Sequence, residues 1–211
     1  MMDKFEIDLS STDGHLTYLE EIILHLEYNP ILSKVEGITD KFWDMFVVDV
    51  FINNNDRNNG NWGLLFNNNV YSLAPIYDNG AAFTNKNGET KIARINSDDK
   101  LLQQNLDTST TTYYYKEKQL FVKDIKNLPY DGFKQAILRN VPLMQKRIDK
   151  ICLFIDELPS EDEGFQIISD ARKLFYKNML KIRLERLLVP IYEDLNNKDS
   201  SPKGLKESKI F

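Results

Sequence analysis

Residues 42–83 read FWDMFVVDVFINNNDRNNGNWGLLFNNNVYSLAPIYDNGAAF, and the fold of the whole chain follows from how this stretch is understood. An apolar run from Phe42 to Ile52 stops abruptly, and the Asn-rich sequence behind it holds Asp56 and Asn61. Two short pieces of strand character, Gly63–Phe66 and Val70–Leu73, are split by Asn67, Asn68 and Asn69. A second acid, Asp78, stands in the turn-like Pro75-Ile76-Tyr77-Asp78-Asn79-Gly80. The order is therefore buried helix, polar loop, hairpin, and an aspartate in a turn.

That order suits phosphoryl transfer. One carboxylate orients or receives a hydroxyl proton, while an amide oxygen and a second carboxylate hold Mg²⁺ against nucleotide phosphates. A hairpin between the two ligands fixes their spacing. A plainer reading stands beside it, because Asn and Asp collect in loops simply by accepting turn geometry. A calcium loop fails on spacing. With Asp56 in first place, Gly is required at 61 and Glu at 67, and both positions are Asn. His15 and His25 have no cysteine partners, which argues against zinc. Neither a Gly-x-Ser-x-Gly elbow nor a Cys/His pair is present to support acyl transfer.

Asp-x-x-x-x-Asn, a hairpin and then Asp is the catalytic-loop and metal-Asp arrangement of protein kinases. The wording NNNDRNNGNWGLL followed by LAPIYDNG resembles the HipA-like serine/threonine kinases, and within them the cell-translocating kinase A type. The resemblance implies that Asp56 is the catalytic base, Asn61 a Mg²⁺ ligand and Asp78 the metal-binding aspartate. It implies ATP and Mg²⁺ as cofactors, and transfer of the γ-phosphoryl group to a Ser or Thr of a protein substrate. HipA-like members often carry His two residues after the base, where this chain has Asn58. For Arg57 two readings stand: it neutralises phosphate charge, or it makes a structural salt bridge. A small antitoxin-like regulator and translocation out of the cell are suggested by family resemblance alone.

The fold this implies is mainly α: a kinase-like helical C-lobe over residues 1–195 with a small central β-hairpin carrying the catalytic and metal loops. Its catalytic core is 40–83, an activation or substrate-binding loop spans 79–112, the helical remainder is 130–195, and 196–211 is a flexible tail. A complete kinase sets a Gly-rich phosphate loop, a strand Lys and a helix Glu ahead of its catalytic loop. Before Asp56 there is no glycine cluster, only isolated Gly14 and Gly37, and no strand resembling Val-Ala-Ile-Lys. The expectation is that the ATP-gripping N-lobe is missing from this chain and that activity without it is weak or absent. Three explanations compete: a fragment, a lobe supplied by a separate subunit, or a kinase-derived interaction module without activity.

Composition sets wider bounds. At 211 residues a single domain is expected. A net charge of −5 and a pI near 5.2 argue against a general nucleic-acid surface, which needs clustered Lys and Arg. Cys152 is the only cysteine and sits in an apolar run, so it reads as an inert buried thiol. No apolar run reaches membrane-spanning length and the N-terminus lacks a signal-peptide core, which makes the cytoplasm the expected location.

Elsewhere the pattern predicts a strand at Phe5–Leu9 and a helix over 15–28 stopped by Asn29-Pro30. A short helical piece follows at 31–36, and Thr39 or Asp40 caps the helix that carries the apolar run. Residues 79–112 read as a long loop with one short helix near 97–104, either the substrate segment or a plain connector. Helices are expected from 130 or 131 through 138, from Pro142 to Phe154, and from about 164 to Leu188, the last opened by the acidic Ser160–Glu163 and stopping or kinking before Pro190.

Overall fold

The computed structural model describes residues 17–84 and 86–199; the strand expected at Phe5–Leu9 and most of the tail lie outside them. Strand β1 (Thr17–Tyr18) leads into α1 (Leu19–Tyr28), which Asn29-Pro30 ends as expected. A 3₁₀ turn at Leu32–Lys34 then delivers the chain to α2 (Ile38–Ile52). The residue before α2 is Gly37 at φ 67°, a left-handed conformation open to glycine at little cost. Glycine backbone geometry, not the Thr39 or Asp40 side chain, therefore starts the helix.

Helix α2 is the axis of the domain. Phe42, Trp43, Met45, Phe46, Val47, Val50 and Phe51 are all buried, so apolar residues occupy nearly every face. Each such side chain contributes roughly 1.5–3 kcal/mol relative to exposure, and together they anchor the loop that leaves the helix. Hairpin β2 (Leu64–Asn67) and β3 (Val70–Leu73) follows at the periphery, with Leu65, Phe66 and Val70 exposed. The hairpin expected from sequence is present, but it projects from the domain rather than sitting at its centre.

Residues 79–112 are not a long loop. They fold into α3 (Glu89–Asn96), α4 (Asp99–Asp107) and the start of β4 (Thr110–Tyr115), which pairs antiparallel with β5 (Lys118–Phe121) and parallel with β1. Both helices are short and bury few apolar residues, Ile92, Ile95 and Leu106, so their periodicity is faint in the sequence. Tertiary contacts hold them. Asp98 caps α4, and Glu89 and Asp99 pair with Arg172 and Arg186 of the C-terminal helices. Tyr113 points inward from β4 onto Phe46, with ring centroids 5.4 Å apart.

Helix α5 (Asp131–Glu157) is continuous, with Pro142 inside it, where two helices are expected from the sequence. Proline removes one helical hydrogen bond, but buried Ala136, Ile137, Val141 and Met144 keep both halves in one helix. The acidic stretch after Pro159 is a hairpin, β6 (Glu161–Asp162) and β7 (Phe165–Gln166), turned by Glu163 at φ 50° and Gly164 at φ 81°. Helix α6 (Asp170–Arg183) passes through a π-helical turn at Leu184–Leu188 into α7 (Val189–Asp199). Pro190 follows this π-helical turn, and the chain stays helical through it. The last helix thus neither stops before Pro190 nor ends at 195.

Candidate active site

The site begins where α2 ends. Asn53 closes the helix at φ 56°, a left-handed conformation that Asn adopts more readily than most residues. Its side chain accepts from Arg183 Nη2, while Arg183 Nη1 donates to Val50 O at 2.7 Å and Nη2 also donates to Ser109 Oγ at 2.7 Å. A cation here complements the negative end of the α2 dipole. Arg183 is fully buried with no carboxylate among these partners, and burial pulls its pKa down to about 9.

The polar loop is then built from its own asparagines. Asn54 is fastened to Asp49 through Nδ2 at 3.0 Å, and its Oδ1 accepts the Asp56 N–H at 3.3 Å. Asn58 Oδ1 accepts the Gly60 N–H at 2.8 Å and Asn58 O accepts the Asn61 N–H at 3.0 Å, which winds 59–61 into one 3₁₀ turn. That turn carries Asn61 inward, to 5% exposure, while Asp56 remains exposed at the rim.

The hairpin brings the second half of the site back. Ala74 N–H donates to Gly63 O at 2.8 Å at its base, and the Tyr77 hydroxyl donates to Gly60 O at 2.9 Å. Asn61 Nδ2 consequently donates to Asp78 Oδ2, a contact across seventeen residues of sequence. Asp78 is exposed and holds φ 54°. A non-glycine residue in that region is tolerated where its surroundings over-determine it, and such residues gather at functional sites.

Arg57 lies beneath all of this, 1% exposed. Its Nε and Nη2 take both oxygens of Asp49 at 2.9 Å each. Nη1 donates to Asn61 O at 3.0 Å and Tyr77 O at 2.5 Å, and Nη2 also donates to Asn79 Oδ1. A guanidinium has five N–H donors, and all five are used within the protein. Burial pulls the Arg57 pKa down, but the hydrogen bonds and charge of Asp49 outweigh it and hold the group above its ordinary value. Of the two sequence readings the salt bridge is the one found. No Arg57 donor is left over for a phosphate, since all five are taken by protein acceptors.

The structure thus brings Asn61 and Asp78 into contact, sets Asp56 on the same loop, and turns Arg57 into the scaffold. Sequence reading missed the parts played by Asn79, by the Tyr77 carbonyl and hydroxyl, and by Arg183. Asn79 and Tyr77 flank Asp78, so adjacency was the only available signal. For Arg183 there was none. Asn61 Oδ1 and the Asp78 carboxylate are hard oxygen donors side by side, of the type Mg²⁺ accepts. Among the described residues no group of three or more His, Cys, Asp or Glu is arranged to hold a metal ion. A site built on these two donors would rely on phosphate oxygens and water for its remaining ligands. No described helix is long and apolar enough to cross a membrane.

A mainly helical domain whose central helix ends in an Asp–Asn loop, joined by a hairpin to a second aspartate, has the form of a protein-kinase C-lobe. The comparisons with known proteins agree. The chain is 29% identical over 159 residues to the serine/threonine-protein kinase CtkA of Helicobacter pylori, covering 70% of this chain and 44% of that protein. The crystal structure of the H. pylori proinflammatory kinase CtkA matches with a TM-score of 0.78 at 24% identity, covering 92% of this chain and 68% of that one. No family model matches. The chain is thus similar to CtkA in sequence and in fold, and it spans less than half the length of that curated relative.

Proposed function

We propose that this chain is the C-lobe of a serine/threonine protein kinase that transfers the γ-phosphoryl group of ATP to a protein hydroxyl. The observation that carries the reading is the contact between Asn61 and Asp78, two oxygen-bearing side chains brought together behind an exposed Asp56. In the proposed reaction Asp56 accepts the proton of the attacking Ser or Thr hydroxyl. That oxygen forms the new bond to the γ-phosphorus as the bond to the β–γ bridging oxygen breaks, and ADP leaves. Asn61 Oδ1 and the Asp78 carboxylate would hold Mg²⁺, which supplies charge neutralisation on the phosphates when bound. Buried Asn61 positions its amide through the 3₁₀ turn, and exposed Asp56 leaves room for a peptide substrate.

Positioning and charge stabilisation make up most of kinase catalysis, so phosphates need more than these two ligands. We infer that elements outside residues 1–211, from a longer chain or a separate N-lobe subunit, grip the nucleotide, and that the 211 residues alone turn over slowly. The test is calorimetric titration of ATP with and without Mg²⁺ on the wild type and Asp78→Asn, followed by a labelled-phosphate transfer assay. Binding that requires both Mg²⁺ and Asp78 is expected, with little turnover. The absence of Mg²⁺-dependent binding at millimolar ATP would favour an interaction module instead. Robust phosphorylation by the 211 residues, lost in Asp56→Ala, would overturn the need for a second lobe.

A further inference from the structure

The Arg57 guanidinium joins three separate pieces of backbone. It is fixed to α2 through both oxygens of Asp49. From there one nitrogen, Nη1, reaches the carbonyl of Asn61 at 3.0 Å and the carbonyl of Tyr77 at 2.5 Å, and Nη2 reaches the side chain of Asn79. The contacted groups are the main chain of one proposed metal ligand and the two neighbours of the other. The strip of chain between them is a hairpin with exposed outer residues, tied across its base by Ala74 N–H to Gly63 O and by the Tyr77 hydroxyl to Gly60 O. Arg57 adds a tie from this pair of backbones down to α2. The carbonyl of Asn61 and the carbonyl of Tyr77, the residue before Asp78, share Arg57 Nη1, which ties the two ligand-bearing segments together from the buried side.

We propose that Arg57, locked by Asp49 and Asn79, is a positioning residue that holds Asn61 and Asp78 at the separation Mg²⁺ requires. This rests on the reading of Asn61 and Asp78 as metal ligands. Partners one shell out from a metal orient its ligands, and their loss commonly weakens metal affinity by about 10- to 100-fold. Mg²⁺ is the sensitive case, since it demands near-octahedral geometry at short distances and tolerates little splaying of its ligands. Lysine cannot replace this arginine. Its single ammonium has three donors at one point, whereas the guanidinium spreads five over a rigid fork. The left-handed backbone of Asp78, between two residues held by Arg57, is the conformation the strap maintains.

The test titrates Mg²⁺ into the 211-residue chain at fixed millimolar ATP and reads the Mg²⁺ concentration giving half-maximal nucleotide binding. Arg57→Lys and Asp49→Asn are expected to raise that concentration about 10- to 100-fold. Asn79→Ala is expected to raise it by roughly 10-fold, the lower end of the same range. In each variant, ATP binding at saturating Mg²⁺ returns toward the wild-type value, because excess metal overcomes poor ligand placement; general loosening of the fold would depress binding at every Mg²⁺ concentration. Asn79 is exposed, so its variant keeps the test alive if the two buried substitutions do not fold. Asp44→Asn breaks a different α2 ion pair, with Arg139, and is expected to leave the Mg²⁺ dependence unchanged. An unchanged half-maximal Mg²⁺ concentration in folded Asn79→Ala and Arg57→Lys, with Asp78→Asn still abolishing the dependence, overturns the positioning role alone. A wild type without Mg²⁺-dependent binding, or one indifferent to Asp78→Asn, overturns the metal site and the strap together.

Discussion

Gly132→Ala sets two effects of opposite sign against each other. Gly132 lies in the first turn of α5, where alanine ordinarily stabilises a helix relative to glycine by roughly 0.5–1 kcal/mol. Here a β-carbon would meet Trp43 Cδ1 at 2.4 Å and Nε1 at 2.6 Å, well inside ordinary contact distance. The indole cannot swing aside, because it is 1% exposed and enclosed by rings. Phe42 lies 5.2 Å away between centroids, Tyr130 5.3 Å, Phe46 5.5 Å and Phe133 5.8 Å. Relief therefore requires moving a packed aromatic cluster or backing α5 off α2, and overpacking of that kind costs about 1–3 kcal/mol. The clash outweighs the propensity gain, leaving a net loss of about 1–2 kcal/mol. For a chain of this size each kcal/mol moves Tm by roughly 2–4 °C, so a fall of about 2–8 °C is expected in thermal unfolding followed by circular dichroism. The double variant with Trp43→Phe gives an internal check. Phenylalanine leaves space that the new methyl partly fills, so the two changes should be coupled favourably by about 1 kcal/mol rather than add. A Gly132→Ala protein as stable as wild type, or strict additivity with Trp43→Phe, would refute the packing argument.

Three further outcomes follow from the same structure. The β2–β3 turn places Asn68 at φ 50° and Asn69 at φ 63°, so Asn69→Val should destabilise the hairpin by roughly 1–2 kcal/mol while Asn69→Gly does not, as read from amide exchange of 64–73. A cavity of about 10 Å³ is lined by Asp49, Asn54, Thr111, Tyr113 and Arg183, and two of these residues carry buried groups without hydrogen-bond partners, the Tyr113 hydroxyl and Arg183 Nε. That is room for one water with polar partners, so Tyr113→Phe should lose about 1 kcal/mol in chemical denaturation; a gain in stability would mean the hydroxyl is dry and unpaired. The Glu89 pKa is lowered, first by the Ser169 hydrogen bond and then by Arg172. A carboxylate with a lowered folded-state pKa adds stability above its unfolded value, and that contribution disappears as pH falls through the folded one. Glu89→Gln should therefore loosen α3 on α6 by under about 1 kcal/mol at pH 7, the side chain being half exposed, and the difference from wild type in hydrogen exchange should shrink as pH is lowered below 4.5; a difference that does not shrink on acidification would exclude this linkage.

How much of this was legible in the sequence depends on the range of the force involved. The apolar run 42–52, the Asn-Pro stop after α1 and the hairpin at 64–73 are local patterns, and each is present in the fold. The short helix expected near 97–104 is α4, but α3 was not legible, because it buries only Ile92 and Ile95 and its partner Arg172 lies more than eighty residues further along. Pro142 misled for a related reason. The local penalty of proline is real, but the buried face of α5 spans both sides of it and decides the outcome. The π-helical turn before Pro190 has no sequence signature of comparable strength.

Arg57 shows the same limit at the candidate site. Beside an aspartate in a polar loop, an arginine has the charge and the address of a phosphate ligand, and sequence supplies no reason to prefer a salt bridge. The deciding quantity is a count of acceptors, and that count exists only once α2, the polar loop and the Asp78 turn have met. Asp49 accounts for two donors, Asn61, Tyr77 and Asn79 for the other three, and a sixth acceptor on a nucleotide would have to displace one of them. Displacing the pair with Asp49 would strand a buried carboxylate, which costs about 3–5 kcal/mol. Displacing the Asn61 or Tyr77 carbonyl would release one side of the Asn61–Asp78 contact that makes the site. In the proposed kinase reading the chemistry therefore stays with Asp56, Asn61 and Asp78, and the arginine between them serves by keeping still.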